Sequence, residues 1–432
     1  MHIDVFKFGG ASVNSAEGVR RVASILSESV AGPVVVVVSA MGKTTNALER
    51  LLDDYRRRDP LAVTVSFEES LDYHMKIVRE LFPAAGHPVY GEVESFFDQL
   101  RGYIRRGHLY REELPDYDFD YDQIVCYGEL ISSCILHHYL VSREIASTWF
   151  DVRELIRTDA TNRDARVDWK VTADAIREVI PRHFSTDTRP GALAVTQGFI
   201  GSDPAGNSTT LGREGSDFSA AVFAWCLHSK EMTIWKDVPG VMNADPRWMP
   251  DAVLLDTLSY REAIELAYYG ASVIHPKTIK PLENAGIRLR VRSFLDPALP
   301  GTQVLNLREW SIPFPIFIRK QHQMLISVSP RDFSFILEEN LSEIFRILAD
   351  FRVKVNVMQN SAISFSVCVD TDRRKVDPLI EFLRRDFEVR YNDGLELFTI
   401  RHYTEEAVSR MTKGKKVILE LRSRGTVQVV VG

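Results

Sequence analysis

Five consecutive valines, Val34–Val38, constrain this chain more than any other feature. A run of β-branched residues with no polar alternation has no wet face, so it predicts a strand covered on both sides, as in a parallel sheet. Similar short runs recur at Val5-Phe6-Lys7-Phe8, Leu193-Ala194-Val195-Thr196 and Met232-Thr233-Ile234-Trp235. Helical periodicities separate them, the first being Val19, Val22, Ala23 and Leu26. That alternation, from residue 1 to about 300, predicts successive βα units with helices on both faces of one sheet. Each run leads into Gly, Ser or Asp, and in open α/β sheets ligands bind at that carboxyl edge. Residues 55 to 125 read as a helical, charge-rich lobe or insertion beside the sheet.

The 432 residues allow roughly three domains at a typical ~150 residues each. With 45% apolar and 26% charged residues, the composition is that of a globular protein with a real core. A formal charge of −6 gives no global reason to seek nucleic acid or an anionic membrane. The four cysteines, Cys126, Cys134, Cys226 and Cys368, contain no CxxC pair and read as reduced, buried thiols. No secretory apolar segment opens the chain, and its longest aliphatic run is far short of a membrane span, so a cytoplasmic location is expected.

Proline and glycine cluster at Asp296-Pro297, Pro300-Gly301, Pro313 and Pro315, which reads as a linker. Beyond it the order is strand (Leu325 to Val328), helix (Leu341 to Phe351), strand (Val353 to Val357), strand (Ile363 to Val369), helix (Val376 to Arg385) and strand (Glu388 to Tyr391). This is the βαββαβ order of a small ferredoxin-like domain. From Leu395 a second such unit begins and lacks its last helix.

Several residues at predicted strand ends carry chemistry. Lys7 lies in an apolar strand just before Gly9-Gly10, where an ammonium either meets an anion or snorkels to water from an edge strand. Glycines after the strand let backbone amides approach a phosphate. Gly42-Lys43-Thr44 resembles the end of a P-loop, but the first glycine of that motif would fall on Val37, so the spacing fails. Ser39, Thr44, Thr45 and Asn46 offer polar groups to a small ligand or act as helix caps. Gly198-Phe199-Ile200-Gly201, followed by Thr209-Thr210-Leu211-Gly212-Arg213-Glu214-Gly215-Ser216-Asp217, is the strongest local signal. Its turn presents amides, Arg213 can fork onto a carboxylate, and Asp217 can orient a cation. Lys236-Asp237 and Asp245-Pro246-Arg247 suit a nucleotide but are common strand-end chemistry too. Glu129, opening a helix, reads as ordinary capping, and His137-His138 and His275, without acidic or cysteine neighbours in sequence, as ordinary residues rather than metal ligands.

In order and spacing, Lys7-Phe8-Gly9-Gly10, Val37-Val38-Ser39-Ala40, Gly128-Glu129, Gly198 to Gly201, Thr209 to Asp217, Trp235 to Gly240, Asp245 to Arg247 and Gly270-Ala271 with His275-Pro276 resemble the aspartate kinases over nearly the whole chain. The resemblance is to a monofunctional member, because nothing remains for a homoserine dehydrogenase domain. It implies an amino-acid-kinase catalytic domain (1–300, a three-layer αβα fold of the carbamate-kinase type), a first ACT unit (314–392, its strand 314–319 completing the second) and a truncated second ACT unit (393–432). It also implies ATP and L-aspartate as substrates, 4-phospho-L-aspartate and ADP as products, and a place at the start of lysine, threonine and methionine biosynthesis.

By this resemblance Lys7 neutralises charge between the β-carboxylate and the γ-phosphate, and Asp217 organises it. Arg213 holds the α-carboxylate, with Glu129, Ser39 and Thr45 on the remaining polar groups. Lys7, Phe8, Gly9, Gly10, Lys236, Asp237, Met242, Arg247 and Ser272 fall at ATP, and Mg2+ rides on the phosphates without protein ligands. Met242 stands where the family often has an aromatic residue, Ser272 where a lysine is common, and Asn356 where an aspartate is frequent. Asn356, Gln359 and Asn360 fall at an effector position, leaving lysine, threonine or no effector open. A homodimer through the ACT units is expected from exposed sheet edges. The alternatives are a glutamate or N-acetylglutamate type of kinase and a non-catalytic ACT sensor.

Overall fold

The computed structural model describes residues 2–30, 32–110, 114–187, 189–271, 274–307, 312–332 and 334–432, the side chains of 108–110 apart. It divides into two compact units. The first is Met1–Val241 with Leu254–Ile264 and Val273–Arg308, and the second is Met242–Val253 and Glu265–Ser272 with Glu309–Gly432.

The first unit is built on strands β1 (Asp4–Phe8), β2 (Val34–Val38), β3 (Ser147–Phe150) and β4 (Leu193–Gln197), a hairpin β5 (Ile200–Ser202) and β6 (Ser208–Thr210), then β7 (Glu231–Lys236), β8 (Thr257–Ser259), β9 (Arg288–Ser293) and β10 (Thr302–Leu305). Outside the hairpin these form one sheet in the order β3-β4-β2-β1-β7-β9-β10-β8, parallel except where β10 meets β9. The valine run is β2, buried at every residue between β1 and β4, as its lack of alternation requires. Part of the stretch read as a linker is instead β10, whose Thr302 and Val304 are buried against β9. Its residues alternate buried with half-buried, a pattern too short to stand out beside the prolines.

Helices α1 (Ala16–Ser29), α2 (Thr44–Arg56), α3 (Pro60–Leu81), α4 (Val89–Tyr110), α5 (Tyr117–Val125), α6 (Tyr127–Ser142), α7 (Trp169–Thr186) and α8 (Gly215–Cys226) supply most of the covering layers. The Ser15 hydroxyl caps α1 by accepting from the Gly18 amide at 3.1 Å, and the predicted stripe Val19, Val22, Ala23 and Leu26 is buried. Residues 55 to 125 are an insertion beside the sheet rather than a lobe with its own core, since Phe67, Val78, Val93, Phe97 and Leu100 share one core with Phe8, Val36 and Val38. The stretch Tyr117–Ser142 is apolar and long enough to cross a bilayer, yet 72% of its most apolar window is buried, which is how core helices read.

Gly10 lets two strand-end loops touch. A Cβ there would lie 2.7 Å from the Ala40 carbonyl oxygen and 3.0 Å from that of Gly42. Backbone cannot retreat as a flexible side chain can, so Gly10→Ala is expected to destabilise the protein by about 1–3 kcal/mol. Gly86→Ala, where a Cβ meets nothing within 4 Å, should leave the melting temperature nearly unchanged. Equal melting temperatures for the two variants would contradict this account of the loop contact.

The second unit carries β11 (Ile316–Pro330), β12 (Val355–Asn360), β13 (Phe365–Asp370), β14 (Phe387–Arg401), β15 (Val417–Arg422) and β16 (Thr426–Val431), in the order β12-β13-β11-β14-β16-β15. Its pairings are all antiparallel. The two strands expected around 314–319 and 325–328 are one strand, β11, irregular between Lys320 and Gln323, with His322 at φ 55°. β14 likewise joins Glu388–Tyr391 to the strand from Leu395. The first half of β11 pairs with the second half of β14, Ile316 opposite Arg401, and the second half with the first, Val328 opposite Val389. Each half builds its own core, one around Ile326, Ile344 and Leu379 and the other around Phe398, Val408 and Val429.

Candidate active site

The carboxyl ends of β1, β2 and β4 open onto a cavity of about 590 Å³. It is lined by Lys7, Gly10, Ser39, Thr45, Glu129, Phe199, Arg213, Glu214, Ser216 and Asp217 among the residues named from sequence, together with Tyr121 and Arg163. Gly215, Ser216 and Asp217 form the first turn of α8, so a helix N-terminus faces the same space.

At its base lies an ion cluster. Lys7 Nζ is 2.6 Å from Asp217 Oδ1, and Lys236 Nζ, arriving from the end of β7, is 3.7 Å from Asp217 Oδ2. Lys7 is therefore no snorkelling edge residue, for β1 is central and the side chain is buried. Burial would raise the Asp217 carboxyl, but the Lys7 and Lys236 ammonium groups outweigh it and hold the carboxyl below its usual range. Two cations around one anion leave net positive charge where a polyanion would sit.

Glu129 is not a helix cap. Its Oε1 accepts from the Ala40 amide at 3.3 Å, while Oε2 is buried with no hydrogen-bond partner among the described residues. Burial pushes the carboxyl up to about 8, against the pull of the Ala40 amide, its own amide and Lys7. Arg213 is exposed and has no ion pair among the described residues, which leaves its guanidinium fork open to a ligand. The two define a cation acceptor and an anion acceptor within one cavity.

Other named residues stand elsewhere. The Phe8 ring is buried and stacks on Trp235 at 5.8 Å, leaving only backbone for any ligand. Gly9 sits beside the Lys7 ammonium, and Asp237 is exposed past the end of β7. Met242 and Arg247 belong to the second unit, where Arg247 pairs with Asp245 at 2.6 Å. Ser272 lies outside the described residues. His275 caps the helix Pro276–Ala285, its Nδ1 accepting from the Lys277 amide, as its ordinary reading requires. His138 does have acidic and thiol neighbours, contrary to the sequence reading, because folding brings Glu92 to within 3.0 Å of its Nε2.

In the second unit, Asn356 donates to Gln323 Oε1 at 2.8 Å and Asp370 Oδ1 at 2.9 Å and accepts from Lys320 Nζ at 2.8 Å. An aspartate at that position would set a second carboxylate beside Asp370. Gln359 and Asn360 are exposed on β12, an edge of the sheet.

Two charged residues in or beside the cavity, Arg163 and Asp122, are not among those named from sequence. Asp122 is fully buried, accepts from Thr210 Oγ1 at 2.6 Å and from the Arg163 amide, and is pushed up to about 7 by burial, which those hydrogen bonds only partly offset. It thereby ties the turn carrying Arg163 to the hairpin that leads into Arg213. Arg163 itself has φ 64° and lies 4.4 Å over the Tyr121 ring. The signal was the Asp118, Asp120, Asp122 alternation before Cys126, which reads as a solvated face.

A mostly parallel sheet thus brings a lysine pair, a helix N-terminus, a buried unpaired carboxylate and an exposed arginine to the ends of its strands, a set suited to an anionic ligand. The chain belongs to the amino acid kinase family, whose model matches residues 3–293. It is 32% identical over 374 residues to the lysine-sensitive aspartokinase 3 of Escherichia coli, covering 85% of this chain and 78% of that one. Its structure is similar to that of E. coli aspartokinase III in complex with lysine and aspartate, with TM-score 0.83 and 28% identity over 99% of this chain and 96% of that one. The form in complex with aspartate and ADP gives 0.79 and 27%, with the same coverage of both chains. Within the family, then, this chain falls among the aspartokinases. It is also 30% identical over 402 residues to the bifunctional aspartokinase/homoserine dehydrogenase 2 of Arabidopsis thaliana, covering 90% of this chain and only 42% of that protein's length.

Proposed function

We propose that the protein transfers the γ-phosphoryl group of ATP to the β-carboxylate of L-aspartate, giving 4-phospho-L-aspartate and ADP. The observation that carries this is the cavity's pairing of an unsatisfied buried carboxylate, Glu129, with the open guanidinium of Arg213, beside the Lys7–Asp217–Lys236 cluster. A free α-amino acid offers an ammonium to the first and a carboxylate to the second, leaving its side-chain carboxylate for the lysine. That nucleophile is ionised at neutral pH without a general base, its ordinary pKa being about 3.9. The barrier is the approach of an anion to a polyanion, so positioning and charge neutralisation carry the catalysis.

The E. coli complexes with aspartate and ADP and with lysine and aspartate support both substrates here, and support an amino acid as effector in the second unit. Mg2+ fits as a passenger of ATP, because Asp217 is already held by two lysines; when bound it would neutralise phosphate oxygens. The open edges β12 and β15 suit pairing with a second copy of the chain, and four buried, free cysteines suit a reducing cytoplasm.

Glu129 gives this reading a pH signature. If its carboxylate takes the substrate ammonium, binding below about pH 8 must expel a proton from Glu129. The KM for aspartate is therefore expected to fall as pH rises from about 6 to about 8, and Glu129→Gln should raise KM and flatten the profile. Folding carries the opposite sign. The folded pKa lies above the ordinary 4.5, so the Glu129 contribution to stability declines as pH rises from about 4.5 to about 8. An unchanged KM profile in Glu129→Gln would remove Glu129 from substrate binding.

A further inference from the structure

We infer that Glu92, Cys134 and His138 form a binding site for a borderline-soft divalent cation of the Zn2+ class, separate from the substrate cavity, which none of the three lines. Cys134 and His138 stand four residues apart on α6, so one helix face presents both, and Glu92 comes from the first turn of α4. His138 Nε2 is 3.0 Å from Glu92 Oε2, and Cys134 Sγ is 3.6 Å from that same oxygen. The three donor atoms lie within 4.8 Å of one another. Tetrahedral zinc, with bonds of about 2.0–2.3 Å, sets its ligand atoms roughly 3.3–3.8 Å apart, so small side-chain rotations suffice.

The chemistry of the set is selective. A thiolate and an imidazole favour Zn2+ or Co2+ over Mg2+ or Ca2+, which prefer all-oxygen shells. Two further imidazoles border the set. His87 and His137 pack against His138 with ring centroids at 5.5 and 5.4 Å. The Glu92 side chain is 56% exposed, which gives an ion a way in and leaves the fourth position to water. On binding, the metal–sulfur bond replaces the sulfur–proton bond of Cys134 and the proton leaves to solvent, with no change of oxidation state.

The test uses the full chain, stripped with chelator and titrated with Co2+, then Zn2+. Expected are about one equivalent bound per chain and a thiolate-to-cobalt charge-transfer band that Zn2+ displaces. The band should vanish in Cys134→Ser, weaken at least tenfold in apparent affinity in His138→Gln, and persist in Cys226→Ser, a buried free thiol on α8. A second measurement needs no variant: bound Zn2+ should slow labelling of Cys134 by a thiol reagent at least tenfold in the unaltered protein. Absence of stoichiometric binding, survival of the band in Cys134→Ser, or equal labelling with and without Zn2+ would overturn the proposal and leave a hydrogen-bonded triad.

Discussion

Replacing Lys7 by methionine is expected to lower kcat by about 10²–10³-fold, the usual cost of removing one preorganised charge at a transition state. Methionine keeps the unbranched stem, so packing within β1 between β2 and β7 should survive. What goes is the ammonium 2.6 Å from Asp217 at the mouth of the strand. Its loss also leaves buried Asp217 with only Lys236, at 3.7 Å, so some stability should be lost as well. Asp217→Asn separates the two effects. It keeps the ammonium while releasing its orientation, so its kcat should lie between those of the parent and Lys7→Met. Initial rates of ADP release, normalised to the folded fraction by circular dichroism, measure both. A Lys7→Met enzyme with the parent kcat would show that the cluster is structural.

Arg213→Ala is expected to raise the KM for aspartate about 10- to 100-fold while leaving kcat at saturating aspartate within a few-fold. A charge-assisted fork to the substrate's α-carboxylate is present in ground and transition states alike, so its loss appears in binding. Arg213→Lys should recover part of this, since a point charge replaces a planar fork. Arg163, exposed and pinned over Tyr121, is the nearby control. If Arg163→Ala carried the larger KM effect, the α-carboxylate would belong to Arg163 instead.

The sheet and much of its ligand edge were legible because their signals are local. Five valines in a row admit one environment, and Lys7 in an apolar strand demands an anion, which the fold supplies as Asp217 from 210 residues away in sequence (217 − 7). Glu129 was legible as a helix-start acid but not as a buried one, since nothing in sequence shows the Ala40 amide that faces it. Asp122 and Arg163 were missed because an alternation of acids and a turn rich in Asn and Asp both read as solvated surface. His138 failed for the same reason: its neighbour Glu92 lies 46 residues upstream (138 − 92), and only the packing of α4 on α6 makes the pair. In the second unit, polar residues at Lys320–Gln323 read as a break between strands, whereas β11 passes through them with an irregular register and continues.

The central claim is that this cavity selects aspartate as phosphoryl acceptor. The direct measurement is ATP-dependent ADP release with aspartate, glutamate or N-acetylglutamate as sole acceptor, with formation of the acyl phosphate followed by hydroxylamine trapping. The account predicts turnover with aspartate that exceeds glutamate by at least tenfold, because one added methylene moves the reacting carboxylate away from Lys7, and none with N-acetylglutamate, whose blocked nitrogen offers Glu129 no ammonium. Turnover of glutamate or N-acetylglutamate with aspartate inert would contradict it.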